Sequence, residues 1–286
     1  MRAHESSNHA SAVAEFIPPS LSVQTAQKNS LREIWSHREL LYFLAWRDIK
    51  VRYKQTALGV LWAIVQPLFT MALFTVVFGR FAHISSDGVP RPIFYFTALL
   101  PWLYLATTVP LASMSLVSNM QLLTKIYFPR VMLPASVVLG GLLDFLIGSI
   151  LLIGFFLHYH VYPTWLLLIW PLLVLQMTML SMAIGLFLAA LNVKFRDVKY
   201  AVPFAIQIWL FMTPVIYPTS MLPYAVRRWI ALNPAAGLVE AFRHCLVPKI
   251  PIHWQAVWVS AATTVFLFLV AITYFQRSER EFADVI

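Results

Sequence analysis

Residues 131–193 read VMLPASVVLGGLLDFLIGSILLIGFFLHYHVYPTWLLLIWPLLVLQMTMLSMAIGLFLAALNV, 63 residues in which Asp144 carries the one formal charge. A helix crossing the hydrocarbon core of a bilayer needs about 20 apolar residues. The stretch therefore holds two such helices, joined where His158-Tyr-His-Val-Tyr-Pro163 interrupts the run. The gaps between charges elsewhere give the same measure. Twenty-five uncharged residues separate Lys54 from Arg80, and 33 separate Arg91 from Lys125. Tyr200–Val226 and Ile250–Gln276 add two runs of 27. Each fits one span. The fold expected is all-α and integral to a membrane, with six spans at about 57–79, 94–117, 131–157, 164–190, 201–218 and 254–276. Pro92, Pro101 and Pro110 predict an irregular or kinked outer half for the second.

Composition agrees. Of 286 residues, 60% are hydrophobic and 12% charged, about half the charge of a soluble domain, which excludes a soluble fold. Residues 1–30 are polar, without an apolar core of signal-peptide length, and read as a disordered cytoplasmic tail ahead of a membrane domain at 31–286. The single cysteine, Cys245, excludes an intrachain disulfide and a thiolate metal cluster. The net charge of +9 is explained by its placement. With six spans, 15 of the 21 Lys and Arg residues fall on the side holding both termini, which puts both termini in the cytoplasm. The excess orients helices and does not advertise a nucleic-acid site.

Two segments depart from the spanning pattern. Before the first span, Trp35, Tyr42, Trp46, Ile49 and Tyr53 fall on one narrow face of a helix at 100° per residue. This predicts an interfacial amphipathic helix with its aromatic face toward lipid; a plain cytoplasmic lead-in is the alternative. Between the fifth and sixth spans, Asn233-Pro234 is a helix start, and Pro248 ends a helix of about 13 residues, too short to span. Glu240 and Arg243, three apart, can pair on it. Residues 219–249 are therefore expected to form an outer re-entrant or surface hairpin, a candidate gate built on Asn233, Glu240 and Arg243.

Catalytic patterns are thin. His158-x-His160 offers two ligands without a third and reads as interfacial side chains. The sequence has no His-Glu-x-x-His, Gly-x-Ser-x-Gly or Cys-x-x-Cys. Asp144 lies well inside an apolar span and must face a partner or water, as a pathway or proton-linked residue or as a structural carboxylate bonded to a neighbouring helix. One intramembrane carboxylate is too little for a proton-driven carrier, and no phosphate-binding loop is present. If transport is active, a separate ATPase has to dock on the internal loops at 118–130 and 192–200. Those loops transmit force or merely connect spans; spacing alone does not choose.

Six stretches bear on that choice: Arg47-Asp-Ile-Lys-Val-Arg-Tyr-Lys-Gln-Thr-Ala-Leu-Gly-Val-Leu-Trp-Ala-Ile-Val-Gln-Pro67, Leu99-Leu-Pro-Trp102, Leu116-Val-Ser-Asn119, Lys125-Ile-Tyr-Phe-Pro-Arg130, Leu191-Asn-Val-Lys-Phe-Arg-Asp-Val-Lys-Tyr200 and Leu232-Asn-Pro-Ala-Ala-Gly237. Together they resemble the type-2 ABC exporter permeases, most closely the branch exporting O antigen, capsule and teichoic acid. The resemblance spans about residues 31–276. It implies a homodimeric permease of the bacterial inner membrane that pairs with two ATPase subunits. ATP and magnesium would then sit on the partner, with no cofactor in this chain. It also makes Lys125, Tyr127, Arg130, Arg196 and Asp197 candidate ATPase contacts and residues 219–249 the outer gate. Passage of sugars would give a use to aromatic rings, on which pyranose C–H faces pack; Trp62, Phe69, Phe204, Trp209 and Phe211 are the candidates, with lipid-facing or packing roles as the alternative. The function expected is export of polysaccharide or lipid-linked polysaccharide, by a chain that does no chemistry itself. An exporter of small amphiphiles, or an intramembrane enzyme using Asp144 as base, are the alternatives.

Overall fold

Apolar runs of this length leave a backbone inside a bilayer no hydrogen-bond partner but its own, and the chain accordingly folds as helices. The computed structural model describes residues 35–54, 59–125, 128–162, 165–247 and 253–285, and among them no strand occurs. The expected polar tail, residues 1–30, lies outside the described residues. Helix α1 (Arg38–Lys54) precedes α2 (Trp62–Phe74), which a tighter turn (Gly59–Leu61) and a wider one (Thr75–Phe81) prolong to 23 residues. Then come α3 (Arg91–Ser118), the short α4 (Met120–Lys125), α5 (Met132–His158) and α6 (Trp170–Lys194), the last entered through a turn at Trp165–Ile169. Helices α7 (Val198–Met212), α8 (Tyr224–Ile230), α9 (Pro234–Leu246) and α10 (Trp254–Val285) complete the chain.

Helix α3 is the hub. Ten consecutive residues, Ile93 to Trp102, are buried, a pattern that requires cover on every side. Helices α2, α5, α6, α7 and α9 supply it. The prolines do not break the helix: α3 is continuous, with Pro92 in its first turn and Pro101 and Pro110 inside it. An interior proline costs about 3 kcal/mol in an isolated helix; here packing from five neighbours offsets that cost, and Pro92 sits where its missing N–H has no intrahelical use.

Small residues let the helices approach. A Cβ on Gly141 of α5 would lie 2.3 Å from Thr108 Cγ2, and one on Gly148 2.5 Å from Leu100 Cδ1, both on α3. These glycines, seven residues apart, form the α3–α5 seam. Hydrogen bonds tie the remaining core: Thr108 Oγ1 to Ser181 Oγ at 2.6 Å, Asn192 Nδ2 to the Ser113 carbonyl at 3.0 Å, and Gln176 Nε2 to Ser260 Oγ at 2.9 Å.

Five helices are long and apolar enough to cross a membrane: Gly59–Phe81, Arg91–Ser118, Met132–His158, Trp165–Lys194 and Trp254–Glu279. The expected fifth span at 201–218 is shorter than the sequence suggested. Helix α7 has 15 residues, about 22 Å at 1.5 Å each, against the roughly 30 Å of a hydrocarbon core. It stops because Pro214 biases its predecessor away from helix; Thr213 is extended at φ −108°, ψ 137°.

Candidate functional site

A cluster of charged side chains lies where α1 meets α5. Leu44, buried, anchors α1 to the bundle, and Gly140 of α5 lies under Ala45 and Ile49. This brings the C-terminal turn of α1 over Asp144. The guanidinium of Arg52 and the phenol of Tyr53 both donate to the Asp144 carboxylate. Burial, with the bond to Asp144, pushes the Tyr53 phenol up to about 12, so it stays a donor through the neutral range. One helical turn earlier Arg47 pairs with Asp48 at 2.8 Å and donates to Asn119 Oδ1 at 3.1 Å, while Ser136 Oγ donates to Asp48 at 2.9 Å. Asp144 thus faces a partner, as the desolvation argument requires. The expected aromatic face of α1 divides: Trp35, Tyr42 and Trp46 are exposed, but Tyr53 turns to Asp144 and Ile49 packs over Gly140.

These charges floor a cavity of about 860 Å3 between α1, α2, α3 and α5. Its walls are mostly apolar, with Leu103, Leu111 and Met114 from α3 and Val137 from α5. Trp62 and Gln66, one turn apart on α2, also line it, as do Ser118 and Asn119 beside Arg47. The volume lies in the range of ligand sites, about 300–1,000 Å3.

Of the five candidate aromatics, Trp62 alone lines this cavity. Phe69, Phe204 and Phe211 are exposed on the flanks of α2 and α7. Trp209 is half-buried in the packing: its ring meets Trp102 edge to face at 5.5 Å and its Nε1 donates to Asn233 Oδ1 at 2.9 Å.

The connection expected at 192–200 is tighter than its sequence suggested. Helix α6 runs to Lys194 and α7 starts at Val198, so Arg196 and Asp197 sit exposed in a three-residue turn at 195–197. Lys125 ends α4 exposed, Arg130 donates to the Glu279 carbonyl of α10 at 3.3 Å, and Tyr127 lies outside the described residues. These four described candidates thus lie at helix ends, Arg130 being tied inward.

On the other side Asn233 caps α9 as expected, its Oδ1 accepting from the Ala235 amide at 3.1 Å while its Nδ2 donates to the Met212 carbonyl at 3.2 Å. The Glu240–Arg243 pair is not formed. Arg243 is fully buried, donates to the carbonyls of Pro214 and Val215 at 3.0 and 3.2 Å, and stacks 3.9 Å from the Phe94 ring. Glu240 instead accepts from Thr219 Oγ1. The kink at Pro214 that ends α7 presents carbonyls without helical donors, and a planar five-donor guanidinium serves them better than one carboxylate would serve it. His158 and His160 sit at the end of α5, where His158 stacks edge-on against Tyr159 at 4.9 Å. Among the described residues no cluster of three His, Cys, Asp or Glu could hold a metal.

Sequence reasoning found Asp144 but missed Arg52 and Gln66. The signal was available: a carboxylate within a span demands a donor, and the basic helix immediately before the first span was the nearest source.

Bilayer-length apolar helices packed about α3, with a polar-floored cavity among them, define a multi-pass membrane protein. The chain belongs to the ABC-2 type transporter family, whose model matches residues 39–247, from α1 through α9. It is 32% identical over 259 residues to the O-antigen export system permease protein RfbA of Myxococcus xanthus, covering 90% of this chain and 98% of that protein. It is 26% identical over 250 residues to a protein of the same name from Klebsiella pneumoniae, covering 87% and 95%. Over 215 residues it is 22% identical to the polysialic acid transport protein KpsM of Escherichia coli, covering 71% and 79%.

Proposed function

We propose that this chain is the membrane permease of an ATP-driven exporter that carries polysaccharide or lipid-linked polysaccharide of the O-antigen or capsule type across the bacterial inner membrane. The observation that carries this reading is end-to-end similarity to permeases named for O-antigen export, extending over nearly their whole length. The charge economy supports it. A single partnered carboxylate inside the spans gives no proton relay, and the sequence has no phosphate-binding loop, so the driving force belongs to a separate ATPase.

On this reading the permease works as a homodimer with two ATPase subunits, and ATP and magnesium sit on those subunits. Both termini are cytoplasmic, and α1 lies along the inner interface. Helix α7 serves as a sixth, short crossing completed by the turn at 213–218. Residues 219–249 then form the outer re-entrant gate. Lys125, Tyr127 and the turn at Arg196 and Asp197 meet the ATPase, with Arg130 bracing α10 behind them. ATP closes the ATPases, these helix ends carry the movement, and the permease halves part to admit the polymer.

Deleting the gene in the native host, then restoring it, tests this. Surface glycan should vanish and polymer accumulate inside the cell, both reversed on restoration. Unchanged surface glycan without internal polymer overturns the reading and favours a small-amphiphile exporter.

A further inference from the structure

The cavity between α1, α2, α3 and α5 has a charge balance that restricts what it can hold. Its charged lining consists of Arg47, Asp48, Arg52 and Asp144, two cations and two anions. Each cation is already matched, Arg47 with Asp48 and Arg52 with Asp144. A phosphate or diphosphate entering here would gain the guanidiniums only by displacing their carboxylates, which would remain beside it in an apolar surround. Such repulsion is poorly screened away from water. An anion is therefore a poor occupant.

Neutral hydroxyl groups meet no such conflict. Paired carboxylates keep lone pairs to accept from hydroxyls, and a guanidinium has five N–H donors, more than one carboxylate uses. The Gln66 amide and the Ser118 hydroxyl also line the cavity, both exposed and neither engaged in a side-chain hydrogen bond among the described residues. An amide on a bilayer helix without a partner is costly, so Gln66 is a group in want of one. Trp62, one turn before it, is 46% exposed and presents a ring to the same space. A ring face beside donors and acceptors suits a pyranose, whose C–H face packs on indole while its hydroxyls bond at the edge. The apolar walls suit an attached hydrocarbon chain.

We propose that this cavity binds an uncharged sugar ring of a glycolipid or lipid-linked glycan, held between Trp62 and Gln66 on α2 and the ion-paired floor of α1 and α5, and that it rejects phosphate. Ser118 and Asn119 end α3 on the side of the internal loops, so the sugar is taken up from the cytoplasmic leaflet. The inference rests on the polysaccharide-export reading and its topology, and it names where the chain meets its substrate.

The test uses the full chain in phosphatidylcholine nanodiscs. Cys245 is 2% exposed, so a Thr107→Cys substitution at the cavity wall gives one reactive thiol. Octyl β-glucoside and octyl phosphate, each below its micelle concentration, are compared for slowing of maleimide labelling. Octyl glucoside should protect the thiol in a saturable way, and octyl phosphate should need at least about tenfold more to do so, a difference of ~1.4 kcal/mol. Gln66→Leu should weaken protection by the glucoside about three- to tenfold, as for one lost hydrogen bond, and leave labelling without ligand unchanged. Trp62→Leu should weaken it as well. Equal protection by both amphiphiles, stronger protection by the phosphate, or none by either overturns the site. Export is read separately as surface glycan in cells: if the native chain exports while its cavity fails these tests, the site alone falls, and if it exports no glycan, the function beneath it falls.

Discussion

Asp144 shows how one carboxylate organises its surroundings. Its side chain and that of Arg52 are each about a quarter exposed, so the pair is partly desolvated and depends on its geometry. Asp144→Asn should leave Arg52 without a counter-charge and destabilise the protein by about 1–3 kcal/mol, read as a lower unfolding midpoint in detergent. Arg52→Leu combined with Asp144→Leu should recover part of that loss, and a double-mutant cycle should give a coupling of the same size. Additive effects would show that the contact contributes nothing. Arg243 makes a different case, a buried cation bonded to carbonyls rather than directly to a carboxylate, with Glu240 and Asp87 supporting its charge from nearby. Arg243→Met removes the donor of two buried carbonyls at about 1–3 kcal/mol each, and Arg243→Lys should recover little, because an ammonium cannot both stack on Phe94 and reach Pro214 and Val215. Full stability in the lysine variant would sink that account.

At the scale of elements, the α3–α5 seam is the most sensitive contact. Gly141→Val should force the two helices apart, since its Cβ would meet Thr108 at 2.3 Å, at about 1–3 kcal/mol or with loss of folded protein on size-exclusion chromatography. Gly154→Ala on the same helix, where no atom lies within 4 Å, should be neutral. Equal behaviour of the two would refute close packing as the cause. The helices themselves were legible in the sequence. Charge gaps placed five bilayer-length helices to within a few residues, and Asn233-Pro234 located the start of α9, because span length and capping are local properties. What was not legible depends on distance across the fold. The continuity of α3 through its prolines follows from five packed neighbours, and the turn of Tyr53 toward Asp144 joins residues 91 apart. Local spacing suggested that Glu240 and Arg243 would pair, but the nearby break at Pro214 supplied a stronger claim on the guanidinium.

For the molecule as a whole, the proposed coupling to an ATPase would place its demand on the ends of helices. Arg196 and Asp197 occupy a turn of three residues between α6 and α7, and α6 packs on both α3 and α10. On the proposed reading, a push at that turn would reach the bundle through α6 and its contacts with α3 and α10. Arg196→Glu with Asp197→Arg should leave ATP hydrolysis by the co-expressed complex intact while reducing surface glycan by about tenfold or more, the effect of losing a contact worth ~1.4 kcal/mol. Export at the native level would remove this turn from the coupling path. Helix α9 bears on another stage in the life of the protein, its biogenesis. Ten of its thirteen residues are buried, against α3, α6 and α10, and a Cβ on Gly237 would lie 2.4 Å from the Ala256 carbonyl of α10. It is too short to be held by lipid alone, and its principal partner α10 is made after it on the ribosome. Its seat, begun by α3 and α6, is therefore completed only once α10 is in place. A chain lacking α10 would leave the face of α9 around Gly237 uncovered, an apolar surface that the complete bundle hides.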